Sequence, residues 1–236
     1  NSSRLHGRAC IEFWEIVTFD IGFTTAFLCS GPASPVDLVI PQVGGTILIM
    51  ESFEPGQALQ IMENEKPTYF SCLPSQIIDM ANHPDFDKRR VNSLRFLTFA
   101  GAPFPIGQAR ECEEKFGSLI LNGYGTMDSY MAFGANPDDS LEVRIGSVGK
   151  VPHWDEYKIL NPETGEAVPP GEIGVLYWRG GTGSGGYYKD AVKTIEVWGA
   201  LGLDGWYNTE DLAKIDQEGR VWLMGRARDM ILRGGQ

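Results

Sequence analysis

Two short runs near the end of the sequence hold groups suited to gripping a hydroxylated, phosphorylated ligand. Thr209-Glu210-Asp211 places two carboxylates on a turn after Trp206-Tyr207, and Gly225-Arg226-Ala227-Arg228-Asp229 presents two guanidinium groups. A carboxylate can accept two hydrogen bonds from a ribose diol, and an arginine can pair with phosphate or hydroxyl oxygens. Residues 212–215 and 220–224 read as strands joined by Asp216-Gln217-Glu218-Gly219, a hairpin that returns the arginines toward the acids. An ordinary surface hairpin with turn charges fits the same run equally well.

Two loops upstream offer complementary chemistry. One is Ala100-Gly101-Ala102-Pro103, the other Asn122-Gly123-Tyr124-Gly125-Thr126-Met127-Asp128-Ser129. Glycines let a planar base lie against the backbone, Tyr124 offers a stacking face, and Asn122 can read an amino group on a base. Thr126, Asp128 and Ser129 add oxygens suited to phosphate and magnesium. Either loop alone reads more simply as a glycine turn beside a core aromatic. Their place on adjacent strand ends makes the pair more telling.

The elements that carry them follow a rhythm. Strands are expected at 46–50, 68–73, 94–100 and 118–121, with helices at 55–64, 75–81 and 106–116 between them. A helix at 8–17, a strand at 24–28 and a helix at 36–43 precede them. Repeated β-α-β implies right-handed crossovers and a parallel sheet, with ligands beyond the carboxyl ends of its strands. Past Tyr130 the runs 145–151, 155–160 and 174–179 are short, alternating and separated by turn residues. The expected architecture is therefore α/β: a parallel βαβ subdomain over 1–137, then a smaller antiparallel, barrel-like subdomain over 138–228. Gly180 to Gly186 lacks the Lys-Ser/Thr ending of a phosphate loop and reads as a surface loop.

Taken together, these runs resemble the adenylate-forming superfamily of acyl-CoA synthetases, aryl-acid and aminoacyl adenylation domains, and luciferases. Trp206-Tyr207-Asn208-Thr209-Glu210-Asp211-Leu212 is similar to the family's W-[YF]-x-T-G-D-L turn, with Glu210 in place of glycine, and Gly225 to Asp229 to its G-R-x-x-D run. The resemblance implies that Gly101, Ala102 and Pro103 form the adenine slot, with Gly123 and Gly125 beside it. It assigns Asn122 to the adenine amino group and Tyr124 to base stacking. It gives Asp211 the ribose hydroxyls, brings Arg226 to the nucleotide, and makes Asp229 the hinge to a further domain, with 229–236 as the hinge segment. Asp128 takes the magnesium-binding slot, usually Glu. Met127 takes the slot of a threonine that contacts the α-phosphate, with Thr126 one residue early. Ser30, Phe99, Phe104 and Met127 are the expected walls of an apolar acid pocket. Phe19-Asp20 faintly matches the amino-group grip of aminoacyl adenylation domains but lies away from the substrate loop near Ser30-Gly31.

The resemblance implies a ligase that forms an acyl-adenylate from ATP and a carboxylic acid, then passes the acyl group to a thiol. Its cofactors and partners are ATP/AMP, Mg2+, coenzyme A and a small aryl, alicyclic or medium-chain acid. Arg233-Gly234-Gly235 tilts the acceptor toward coenzyme A and away from a carrier protein. A degenerate module that binds nucleotide without turnover is the alternative, on the strength of Met127. The chain covers the middle of the family's length, lacking its phosphate loop and C-terminal domain. A net charge of −11, with Lys88-Arg89-Arg90 as the longest basic run, argues against nucleic acid as the main partner. No apolar run approaches a membrane span. Cys10, Cys29, Cys72 and Cys112 have no zinc spacing, which with the absence of a signal peptide points to reduced thiols in a cytoplasmic protein. Oligomeric state is left open, a homodimer included.

Overall fold

The computed structural model describes residues 2–28, 30–128, 130–181, 183–184, 186–199 and 205–227. Its first sheet is built from β1 (Ile21–Thr24), β2 (Thr46–Ile49), β3 (Tyr69–Cys72), β4 (Phe96–Phe99), β5 (Leu119–Thr126) and β6 (Tyr130–Gly134). The spatial order is β2-β1-β3-β4-β5-β6. The first five strands pair in parallel, and β6 runs antiparallel to β5. Because side chains alternate across a strand, Phe70, Leu97 and Ile120 enter one core while Tyr69 and Leu121 enter the other. The first core is covered by α2 (Pro55–Glu65), α3 (Pro74–Ala81), α4 (Ile106–Phe116) and α5 (Leu141–Gly146). The second is covered by Trp14 of α1 (Ser2–Trp14) and by Val36, Val39 and Ile40. Helix boundaries have local causes. Glu54 accepts from the backbone N–H groups of Gly56 and Gln57 to start α2, and Gly117 in a left-handed conformation ends α4.

A second, antiparallel sheet holds β7 (Glu156–Leu160), β8 (Gly174–Arg179), β9 (Tyr207–Ile215) and β10 (Val221–Arg226), in the order β10-β9-β8-β7. Helix α6 (Ala191–Trp198) lies in the connection from β8 to β9. The two sheets are stitched by bridges from Gly134 to Lys150 and from Gly149 to Val221. At Gly149, φ is +75° and a Cβ would stand 1.9 Å from the Gly134 carbonyl oxygen, so the crossing admits only glycine. The expected α/β architecture, a largely parallel sheet with a separate antiparallel one, is what the chain forms.

Several local expectations are corrected. The strand expected at 24–28 lies at Ile21–Thr24, and the helix at 8–17 is Ser2–Trp14. Residues 36–43 form π and 3-10 turns in place of an α-helix, where Pro35 and Pro41 withhold backbone donors. The strand expected at 145–151 does not form as one: its first two residues end α5, whose Arg144 is drawn into buried contacts with α4 and β5, and only Gly149 and Lys150 make isolated bridges. Asn122 to Thr126 is not a loop: it is the second half of β5, paired with β6. Thr209 to Asp211 likewise lies within β9.

Candidate active site

The strand order 2-1-3-4-5 reverses direction at β1, and in open parallel sheets the crevice at such a reversal is where ligands bind. A cavity of about 550 Å³ opens there, at the carboxyl ends of β1, β2 and β3. Phe27, Leu28, Ile49, Met50, Phe53 and Leu73 give it apolar walls, and Thr25, Ser30, Glu51 and Gln76 add polar points. Thr25 Oγ1 donates to Gln76 Oε1 at 2.9 Å, so that pair is internally satisfied, whereas Ser30 Oγ is buried with no partner among the described residues. Phe27 and Ile49 remain 77% and 52% exposed, leaving an open apolar rim. Apolar character at Phe27 and Leu28 therefore belongs to the cavity mouth and not to a strand. Gly101, at φ +83°, stands beside this cavity: a Cβ there would meet Leu73 and Pro32, two of its walls.

A polar wall is made where β5 outruns β4 and meets the second sheet. Tyr124 of β5 donates its phenol proton to Asp211 Oδ2 on β9, and Arg226 of β10 pairs with Asp211 Oδ1 at 2.8 Å. Burial, more than the charge of Asp211, pushes the Tyr124 phenol well above its usual range, so it stays a donor. Burial is also the main reason the Asp211 carboxyl sits above the ordinary aspartate value, against the opposing pull of Tyr124 and Arg226. Two irregularities aim this strand. β9 bulges against β8 between Leu212 and Asn208, and β10 bulges against β9 at Met224-Gly225. Bulges re-aim side chains at sheet ends, and here they turn Asp211 toward β5. Thr209 Oγ1 fixes the bulge by donating to the Leu176 carbonyl at 2.8 Å and accepting from the Asp211 N–H at 3.1 Å.

Glu210 sits at the bulge with φ +59°. A left-handed conformation costs a side-chain-bearing residue about 1–2 kcal/mol, part of which glycine returns as unfolded-state entropy. Glu210→Gly is therefore expected to stabilise the protein by roughly 0.5–1 kcal/mol, a rise of about 2 °C in Tm. Differential scanning fluorimetry checks it; a lower Tm would show that the Glu210 side chain outweighs its backbone.

Asp128 follows Thr126 in the turn between β5 and β6. Its Oδ2 accepts from Tyr187 Oη at 2.8 Å and Tyr207 Oη at 3.3 Å, and its N–H donates to Thr126 Oγ1 at 3.2 Å. Burial, then Asp128 itself, pushes the Tyr187 phenol up to about 12; burial foremost does the same to Tyr207, so both donate at neutral pH. Tyr207 and Asp211 share the buried face of β9, which places the two carboxylate clusters along one wall.

A sequence model described as "AMP-binding enzyme" matches residues 37–188. The chain belongs to the AMP-binding enzyme family. Over 215 residues it is 35% identical to the medium-chain acyl-CoA ligase ACSF2, mitochondrial, of Mus musculus, covering 86% of this chain and 34% of that protein. Among solved structures, the amide bond synthetase McbA from Marinactinospora thermotolerans superposes with a TM-score of 0.87 at 23% identity, over 99% of this chain and 46% of that one. The anthranilate CoA ligase AuaEII, solved with anthranoyl-AMP, gives 0.85 at 25% identity, over 100% and 45%. The chain thus spans about a third of the length of the curated relatives it matches.

Within this family member, the expected site residues fall into groups. Asp211, Arg226 and Tyr124 come together, as do Asp128 and Thr126. Gly101, Ala102 and Pro103 follow β4, with Gly101 against two walls of the cavity. Asn122 directs its amide nitrogen to the carbonyls of Ile145 and Ser147, at 3.3 and 3.0 Å, so its donors are spent on the end of α5. Of the residues expected to wall an acid pocket, the structure brings Ser30 to the cavity and places the other three elsewhere. Phe99 and Phe104 are 2% and 5% exposed and pack edge to face in the core, because strand alternation turns Phe99 toward the helices. Met127 is 66% exposed and lines no described cavity, while Ser30 does. Asp229, Arg228 and Ser129 lie outside the described residues. Asp20 caps the opposite edge of the sheet, accepting from Thr68 Oγ1 and Arg95, which makes it structural. Sequence reasoning missed Tyr187 and Tyr207; aromatic residues beside glycine-rich and acidic turns were the available signal.

Proposed function

We propose that the protein of which this chain forms the central part activates a carboxylic acid with ATP, releasing pyrophosphate, and passes the acyl group to coenzyme A. Family membership and the acyl-CoA ligase relatives support this reading. The observation that carries it is a wall of two carboxylates, one tied to a guanidinium and one to two phenols, in a chain that also opens an apolar cavity at the carboxyl ends of β1, β2 and β3. Asp211 accepts the ribose hydroxyls, and the loop at Gly101, Ala102 and Pro103 lies against adenine, whose amino group finds the Asn122 side-chain oxygen. The cavity takes the acid's hydrocarbon end, which its volume and walls suit to a medium-chain, alicyclic or aromatic acid. The acid's carboxylate oxygen forms a bond to the α-phosphorus as the bond to pyrophosphate breaks. A thiolate sulfur then bonds to the acyl carbon as AMP leaves. Alignment and charge neutralisation carry such a step.

Among the described residues no three His, Cys, Asp or Glu side chains cluster as a metal cage. One carboxylate and nearby hydroxyls, all oxygen donors, do suit magnesium, which keeps waters and substrate phosphates as its other ligands. Asp128 is the residue to hold it, with Thr126 adjacent. When bound, magnesium neutralises phosphate charge. Among the described residues, Cys10, Cys72 and Cys112 are free and buried in the core, which supports a reducing, cytoplasmic setting. No helix among the described residues is long and apolar enough to cross a membrane.

The test is acid-dependent ATP–pyrophosphate exchange by the full-length protein, across medium-chain, alicyclic, aromatic and amino acids. Exchange is expected with an apolar acid and should fall roughly 10²-fold in Asp128→Ala. The exposure of Met127 at the usual threonine position favours a second reading, a module that binds nucleotide without turnover. AMP binding with no exchange from any acid would select it.

A further inference from the structure

Two phenols from distant parts of the chain converge on the side chain of Asp128, more support than a carboxylate in a turn requires. Tyr187 comes from the segment before α6, Tyr207 from β9, and both donate to the same oxygen, Oδ2. Trp198, at the end of α6, stands against both rings, with centroids 5.6 Å from Tyr187 and 5.2 Å from Tyr207. The backbone beneath Tyr187 is fixed too: its N–H donates to Thr194 Oγ1 at 2.9 Å, and that hydroxyl donates to the Asp190 carbonyl at 2.7 Å. The turn itself is held by the Ser184 N–H, which donates to the Asp128 carbonyl at 2.8 Å.

Two donors on Oδ2 fix the carboxylate's rotation and leave Oδ1 as the oxygen turned away from the phenols. A cation that keeps its waters and its nucleotide phosphates needs one such oxygen from the protein, held still. We propose that Tyr187 and Tyr207 are positioning residues that hold Asp128 as a one-oxygen ligand for the divalent cation carried by the nucleotide. Both act through Asp128, and Tyr187, at the shorter distance, carries more of the effect. This rests on the role given to Asp128 in the proposed reaction.

The experiment is the cation dependence of ATP binding by the full-length protein, titrated with Mn2+ or Mg2+ in wild type, Tyr187→Phe, Tyr207→Phe and Asp128→Ala. Phenylalanine keeps the ring that packs on Trp198, so the fold has what it needs; Tyr207→Phe carries the test if Tyr187→Phe does not fold. The cation concentration for half-maximal ATP binding should rise about tenfold in Tyr187→Phe and less in Tyr207→Phe. Cation-free AMP binding should stay at the wild-type level in both. Wild-type or tighter cation dependence in both tyrosine variants, with Asp128→Ala shifted, overturns the positioning role alone. An unshifted Asp128→Ala overturns the assignment of Asp128 as well.

Discussion

Asp211→Asn should lose most of its nucleotide affinity and yet unfold at an equal or higher temperature than the wild type. The residue is 4% exposed, and burial raises its carboxyl above the ordinary aspartate value. A group whose pKa is raised on folding contributes stability only below its unfolded value, and that contribution is lost as pH rises through the folded one. At neutral pH the ionised, buried Asp211 therefore works against folding. Asparagine keeps the shape, still accepts the Tyr124 proton and removes the charge. Arg226, 41% exposed, returns to solvent at the small cost usual for a surface partner. What is lost is a charged acceptor for the ribose diol, worth about 1.5–3 kcal/mol, or ten- to a hundredfold in affinity. AMP titration calorimetry and scanning calorimetry read the two effects separately. Wild-type AMP affinity beside a lowered Tm would make Asp211 a structural residue and remove it from the site. In the wild type, AMP binding should weaken on acidification at a pH above that where an ordinary aspartate titrates, and this dependence should be absent from Asp211→Asn.

The frame that holds Asp211 was legible in part from the sequence. The strands at Tyr69–Cys72 and Phe96–Phe99 were readable because a parallel sheet buried on both faces demands continuous apolar, β-favouring runs, and Thr46–Ile49, at the sheet's edge, was readable from its largely β-branched composition. The meeting of Asp211 and Arg226 was readable in outline, since the hairpin returns the arginine toward the acids, but the register set by the Ile215–Val221 pair alone would place Asp211 opposite Gly225, and the bulge at Met224 brings Arg226 there. What escaped depends on distant partners. Glycines at 123 and 125 suggested a loop, but β6 supplies a ladder for them. Phe99 looked like pocket lining because it ends a strand at the ligand edge; only the side of the sheet it faces decides, and that side is the core. Tyr187 reaches Asp128 across 59 residues, and no local pattern announces such a bond.

Arg144 is the sharpest case, and its replacement should be the most destabilising single change considered. Alternation across 145–151 suggests a strand, yet Arg144 is 4% exposed and bonded on every side. It donates to both carboxylate oxygens of Glu113 at 2.7 and 2.8 Å, to the Ile120 carbonyl at 2.8 Å and to the Asp139 carbonyl at 3.0 Å. Glu113 also accepts from the Ile120 N–H at 2.9 Å, so α4, β5 and α5 meet at one ion pair. Arg144→Met keeps the volume but leaves the largely buried Glu113 carboxylate without its cation. Breaking a buried pair on one side costs about 3–5 kcal/mol, a Tm loss of roughly 10 °C for a chain of this size. Replacing both partners is far milder, because an apolar pair needs no compensation for desolvated charge. Arg144→Met with Glu113→Leu should accordingly recover most of the loss in urea unfolding. The single variant should also weaken AMP binding, because the carbonyls of Ile145 and Ser147 that anchor Asn122 belong to the end of the helix Arg144 secures. A double variant no more stable than Arg144→Met would mean that the arginine acts through its carbonyl contacts, and the ion pair would lose its place at the junction.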